Sequence, residues 1–183
     1  MLKYVLLGAL TYQPLTGYQL KQFIDNSARH FWYAQTSQIY RTLNELEEKG
    51  LLTSQIQPQT DRPDQRLYHL TPTGREDLLK WLATPMTEIA PTKDELLVRL
   101  FFSALLDKEV VLTQLRLQKA LHQQQLSVFK EVIPLQITTS LERNPHLKRD
   151  ALLWELDRRL GELSEESYLR WLDETIARIE EEF

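Results

Sequence analysis

The apolar positions in the first half of the chain change period several times. Leu2, Val5, Leu6 and Ala9 recur at helical spacing, and Pro14 ends that element. A second helix is predicted from Thr16, a capping residue, with Tyr18, Leu20 and Phe23 before Asp25-Asn26-Ser27. A third is predicted over residues 36–49, stopped by Gly50, which suits a left-handed C-terminal cap. Residues 51–57 lose the 3.6 period, a polar loop follows over 58–65, and Arg66-Leu67-Tyr68-His69-Leu70 alternates as a second strand. Thr71 then caps a fourth helix with Pro72 in its first turn. Helices, a two-stranded hairpin and a further helix describe a winged helix-turn-helix. A protein-interaction module without DNA binding is built on the same pattern and is the alternative.

The second half is helical throughout. Residues 95–105 are apolar almost all round (Leu96, Leu97, Val98, Leu100, Phe101, Phe102, Ala104, Leu105), so that helix needs cover on several sides. Asp107 opens a longer helix carrying Val110, Val111, Leu115, Leu117, Leu121, Val128, Phe129 and Val132. The last segment, residues 149–182, spans about 50 Å at the helical rise. Leu153, Leu156, Leu160 and Leu163 stand in 3-4-3 spacing, and after a shift come Tyr168, Trp171, Leu172, Ile176 and Ile179. A stripe that long needs the other C-terminal helices and a second subunit to cover it. Leu153, Leu156, Leu160, Leu163, Trp171 and Leu172 are therefore the candidate dimerisation residues. The expected class is mainly α with a small β-hairpin. Pro85 and Pro91 mark residues 84–92 as a linker between a winged helix-turn-helix domain at 1–83 and a helical dimerisation domain at 93–183, which can also hold an effector.

Composition narrows the function. The 183 residues include no cysteine, which excludes disulfides and cysteine-based zinc or redox chemistry and fits a reducing cytoplasm. The longest apolar run, residues 4–10, is far short of the ~20 residues that span a bilayer, and its flanks do not suit a secretory signal. A cytoplasmic protein without membrane contact is expected. The net charge of −4 argues against a nucleic-acid binder until it is divided. Residues 1–83 carry 9 basic and 8 acidic side chains, and residues 84–183 carry 13 and 18. Positive potential therefore gathers at the N-terminal end.

On an ideal helix over 36–49, Ile39, Leu43 and Leu46 form the inward stripe. Ser37, Arg41, Asn44, Glu45 and Glu48 face outward, flanked by Gln38 and Tyr40. Arg can be bidentate to guanine and Gln to adenine, while Ser is permissive. The acids collect at the far end, which suits groove entry amino end first. An ordinary amphipathic surface helix has a similar outer face. Tyr18 and Lys21 on the second helix are candidates for phosphate contact, with Tyr18 equally suited to core packing. In the hairpin loop, Arg62 and Arg66 are offset by Asp61 and Asp64.

These residues fall into ordered blocks: Leu6-Leu7-Gly8-Ala9-Leu10; Thr16-Gly17-Tyr18-Gln19-Leu20; Ser37-Gln38-Ile39-Tyr40-Arg41-Thr42-Leu43; Leu46-Glu47-Glu48-Lys49-Gly50-Leu51; and Arg62-Pro63 with Arg66-Leu67-Tyr68-His69-Leu70-Thr71-Pro72-Thr73-Gly74. In that order and spacing the chain resembles the PadR family of transcriptional regulators. The segment 91–102, Gly161 and residues 168–174 are similar to the C-terminal region of the longer, virulence-activator-type members. The resemblance implies a homodimer on a palindromic operator in double-stranded DNA, commonly a repressor released by a small aromatic effector. Carried over by position, it implies DNA contacts at Tyr18, Ser37, Gln38, Tyr40 and Arg41, with Arg62 and Arg66 in the wing.

Other chemistry is sparse. Phe101, Phe129 and Trp154, with Phe102, Tyr168 and Trp171, are candidates to line an effector pocket, and core and interface packing, where aromatics commonly serve, is the favoured alternative. Arg158 and Arg159 are candidates for an effector carboxylate, with a solvated helix face as the favoured alternative. Glu142 and His146 have a metal-compatible spacing that Asn144-Pro145 interrupts. The four histidines are scattered, and no phosphate loop or nucleophile turn is present, so neither an enzyme nor a cofactor is expected.

Overall fold

The computed structural model describes residues 1–28, 33–58, 64–90 and 93–183. The chain divides into two compact units, Met1–Ala90 and Pro91–Phe183.

In the first unit, α1 (Leu2–Ala9) is followed by the short strand β1 (Leu15–Thr16) and by α2 (Gly17–Phe23), which continues through a wide π turn over Ile24–Ala28. Then come α3 (Thr36–Glu48), β2 (Leu52–Gln57), β3 (Gln65–Leu70) and α4 (Pro72–Ala83). Local chemistry sets the boundaries. The Thr16 hydroxyl accepts from the Gln19 amide at 3.2 Å while Gln19 Oε1 accepts from the Thr16 amide at 2.8 Å, a reciprocal cap on α2. Gly50 takes φ of +66° directly after α3, a conformation that a side chain disfavours. Thr71 Oγ1 accepts from the Gly74 amide and so starts α4. Leu6, Leu7, Leu20, Ile39, Leu43, Leu52 and Tyr68 are completely buried beneath these elements.

The hairpin is part of a three-stranded antiparallel sheet in the order β1-β3-β2. Leu15 pairs with Tyr68 and Thr16 with Leu67. This third strand is absent from the sequence reading because two residues are too short to display alternation. Its pairing is made across fifty positions of chain.

The second unit comprises α5 (Glu95–Phe101), a 3-10 turn (Ser103–Leu105), α6 (Lys108–Ser127), a π turn (Val128–Val132), α7 (Ile133–Arg143), a 3-10 turn (Pro145–Leu147) and α8 (Lys148–Glu182). Asp94 caps α5, its Oδ1 accepting from the Leu96 and Leu97 amides. Charge fixes how α6 and α8 run. Arg116 meets Glu180 at 2.6 Å, Lys119 meets Asp173 at 2.5 Å, His122 meets Glu165 at 2.5 Å, and Lys130 meets Glu166 at 2.7 Å. Numbers rise on one side as they fall on the other, so the pair is antiparallel, with bases facing acids. Between them Leu96, Val111, Leu115 and Leu172 are buried, with Leu100, Tyr168, Trp171, Ile176 and Ile179 packed around.

Two expectations change here. The helix from Asp107 does not run unbroken to Val132: it widens at Val128–Val132. The physical cause is Pro134. In the wide turn the Ile133 amide bonds to the Val128 carbonyl, and Pro134 has no amide to offer Phe129. Arg158 Nη1 supplies the missing donor to the Phe129 carbonyl at 2.9 Å. Leu172 also belongs to the core of its own unit and offers no surface to a partner, being 0% exposed. Trp171 packs half-buried on the same core, its ring 5.2 Å from that of Tyr168.

Phe129 is buried against Gly161. A Cβ built at Gly161 would lie 2.2 Å from the edge of the Phe129 ring. Gly161→Val is expected to cost about 1–3 kcal/mol through overpacking, against a helix-propensity gain of only a few tenths. Calorimetric unfolding of the variant checks this, and a midpoint at or above the native one would contradict it.

Candidate nucleic-acid interface

The stripe Ile39, Leu43 and Leu46 anchors α3 in the core and turns its other face to solvent. Ser37, Gln38, Tyr40, Arg41, Asn44 and Glu45 are all exposed. The Arg41 side chain is 74% exposed, its nearest acid Glu45 at 3.8 Å. An exposed pair at that separation is worth at most about 1 kcal/mol, so the guanidinium can swing to another acceptor. Gln38 is less free to act. Its Oε1 accepts from the Gln35 amide at 3.0 Å and helps to cap α3, so a bidentate contact to adenine has to give up that bond.

Tyr40 has one side on α2. A Cβ at Gly17 would sit 2.5 Å from its ring, so the glycine is the seat that lets Tyr40 settle there. Tyr18 is exposed, its hydroxyl accepting from Gln22 Nε2 at 3.0 Å. Its position is therefore on the surface and not in the core. Lys21 is paired with Asp25 one turn on and lies 5.6 Å over the Tyr33 ring. Arg66 is turned back onto α3, with Nη2 3.0 Å from Glu47 Oε2 and the guanidinium 5.9 Å from the Tyr68 ring. Burial raises the Tyr68 hydroxyl above its ordinary range, against the lowering effect of Arg66. Arg62 lies outside the described residues.

Exposed Tyr33 beside Lys21 and the Glu47 tie to the hairpin were missed by sequence reasoning. The first lacks any periodic signal, and the second joins residues 19 positions apart.

In the second unit, Leu153, Leu156, Leu160 and Leu163 of α8 are 47–67% exposed in one row. A shallow groove beside it is lined by Leu97, Leu163, Ser164, Ser167, Tyr168 and Trp171. None of Phe101, Phe129 and Trp154 lines it. Phe101 is exposed and meets Phe102 edge-on at 5.1 Å. The Tyr168 hydroxyl donates to Asp94 Oδ2 at 2.7 Å, and its ring stacks on His122 at 4.2 Å. Burial and that bond push the Tyr168 hydroxyl far up. Burial raises Asp94, but the Tyr168 hydroxyl and the Leu96 and Leu97 amides outweigh it and hold the carboxyl below its usual range. Arg158 is occupied by Glu155 and Glu162 at 2.7 Å each, and Arg159 meets Glu162 at 3.0 Å. The bonds from Arg158 hold both carboxyls low. Among the described residues no three His, Cys, Asp or Glu side chains converge as a metal site, and no helix is long and apolar enough to cross a membrane.

Comparison with known proteins covers both units. The transcriptional regulator PadR-like family matches residues 6–80, and the virulence activator alpha C-terminal family matches residues 92–180. A probable transcriptional regulator of Mycobacterium tuberculosis is 28% identical over 98% of each chain. The negative transcriptional regulator PadR of Bacillus subtilis is 30% identical over 60% of each. The crystal structure of that PadR with operator DNA matches with a TM-score of 0.81, at 25% identity over 97% of each chain. Its structure with p-coumaric acid matches with a TM-score of 0.73, at 24% identity over 98% of this chain and 99% of that one.

Proposed function

The chain belongs to the PadR-like family of transcriptional regulators, and from that premise we propose that it is a sequence-specific repressor. It binds a palindromic operator as a homodimer and is released by a small aromatic molecule. It works in the cytoplasm and carries out no catalysis.

The observation that carries this reading is the outer face of α3. Ser37 and Arg41 lie in its first two turns, exposed above a fully buried stripe, and the acids lie at the opposite end. A helix so presented can enter the major groove amino end first and read base edges through Arg41. Tyr18, Lys21, Gln38 and Tyr40 flank it as phosphate and base contacts, with Arg62 as a further candidate for a phosphate. The uncovered leucine row on α8 supports the dimer, because two reading helices must be held about one DNA turn apart, ~34 Å, or a multiple of it. The aromatic effector is carried over from the p-coumaric acid of the Bacillus subtilis protein, with Phe101, Phe129 and Trp154 as the first residues to substitute.

Gel retardation of DNA from upstream of the protein's own gene tests the reading. At about 50 mM salt, where phosphate contacts are strong, a discrete shifted band is expected, and added p-coumarate is expected to reduce it. Absence of any shift would favour the protein-interaction module instead.

A further inference from the structure

Glu47 stands in the last turn of α3, where a carboxylate opposes the helix dipole, and Glu48 follows it. Its two oxygens are used on the two strands of the hairpin. Ser54 Oγ on β2 donates to Oε1 at 2.6 Å, and Arg66 Nη2 on β3 donates to Oε2 at 3.0 Å. Ser54 pairs with Tyr68 and Ile56 with Arg66, so these four residues share one face of the hairpin. On that face Tyr68 is buried, and the Arg66 guanidinium lies over its ring. One carboxylate thus ties both strands to the carboxyl end of the helix.

We infer that Glu47, acting through Ser54 and Arg66, is a positioning residue that sets the angle between the reading helix and the wing, and that Arg66 serves this brace instead of binding a phosphate. The inference rests on the DNA-binding reading and deepens it. Were Arg66 to leave for a phosphate, Glu47 would remain half-buried beside a polyanion without its cation, and Tyr68 would lose its covering charge. Both changes oppose the exchange by the modest amount expected of a half-exposed pair. With Arg66 retained, the pair stays neutral and the two DNA-facing elements move as one piece.

The test compares E47Q, S54A and R66Q with the native protein by fluorescence anisotropy on retarded DNA at several salt concentrations. Hydrogen exchange of the hairpin amides is followed in the free protein. A brace predicts several-fold weaker binding in all three variants. The slope of log affinity against log salt then stays within about 0.3 of native, since no phosphate contact is lost. The double variant E47Q/R66Q binds no worse than the weaker single one. Exchange over β2 and β3 quickens in each. S54A removes no charge, so it keeps the test valid if E47Q folds poorly.

A phosphate-binding Arg66 predicts the opposite signs. R66Q then lowers the slope by about 0.9, and E47Q tightens binding by freeing a cation and removing an acid. Either result overturns the brace, as does unchanged hairpin exchange in all three variants. If native protein retards no DNA at all, the proposed function fails, and the exchange measurement decides the brace by itself.

Discussion

Replacing Leu156 and Leu160 together by glutamate is expected to leave the protein monomeric and to weaken operator binding by about two to four orders of magnitude. Both side chains are more than half exposed on α8, in a row with Leu153 and Leu163. They make no part of the unit's core, which lies on the Leu172 face of the helix, so folding should survive. In the proposed dimer, four leucines in 3-4-3 spacing along an exposed face would supply the seam of a helix pair. Two glutamates facing their own copies would meet like charge in a desolvated contact. The loss in DNA binding follows from geometry. A dimer that has engaged one half-site presents its second α3 at a high effective concentration, and a monomer has no such advantage. Sedimentation gives the mass and anisotropy gives the affinity. A dimer that persists, or a monomer that binds as tightly as the native protein, would remove the basis for the palindromic operator.

Arg41→Ala is expected to cost about 1–3 kcal/mol on the preferred site and to flatten the preference at one base position in each half-site. The guanidinium is the most accessible cation in the first half of α3, and its ion pair with Glu45 is too exposed to hold it. Arg41→Lys separates charge from shape. Lysine keeps the attraction to the duplex but cannot form the two parallel bonds that match guanine O6 and N7. Affinity for random DNA should therefore be nearly native in the lysine variant, while selectivity falls. Binding to selected oligonucleotides measures both. An alanine variant that weakens all sequences equally would make Arg41 a phosphate contact.

The sequence disclosed what is decided within a few residues. Thr16, Thr71 with Pro72, and Gly50 after α3 mark boundaries by local hydrogen bonding and backbone preference, and the structure has them in those roles. The period of Ile39, Leu43 and Leu46 disclosed the orientation of α3 for the same reason. Contacts between distant residues were hidden. β1 exists only because Leu15 and Thr16 find β3. Arg66 looks like an outward wing base until Glu47 is seen across 19 positions. Leu172 follows the leucine row only after a shift in phase, and the sequence does not say what covers the new face; Val111 and Leu115 of the same unit do so. The packing of Phe129 against Gly161 was hidden in the same way.

The wide turn at Val128–Val132 has a consequence for residue counting. Such a turn takes up one residue more than an ordinary helical turn, so everything after it is rotated by about 100° from where an unbroken helical wheel would put it. Faces assigned continuously from α6 into α7 are therefore out of phase. A one-residue deletion within this turn would restore the phase but not a regular ladder, because Pro134 still has no amide to offer the preceding turn. The same deletion between Arg116 and His122 would instead throw the bases on one side of it out of step with the acids of α8.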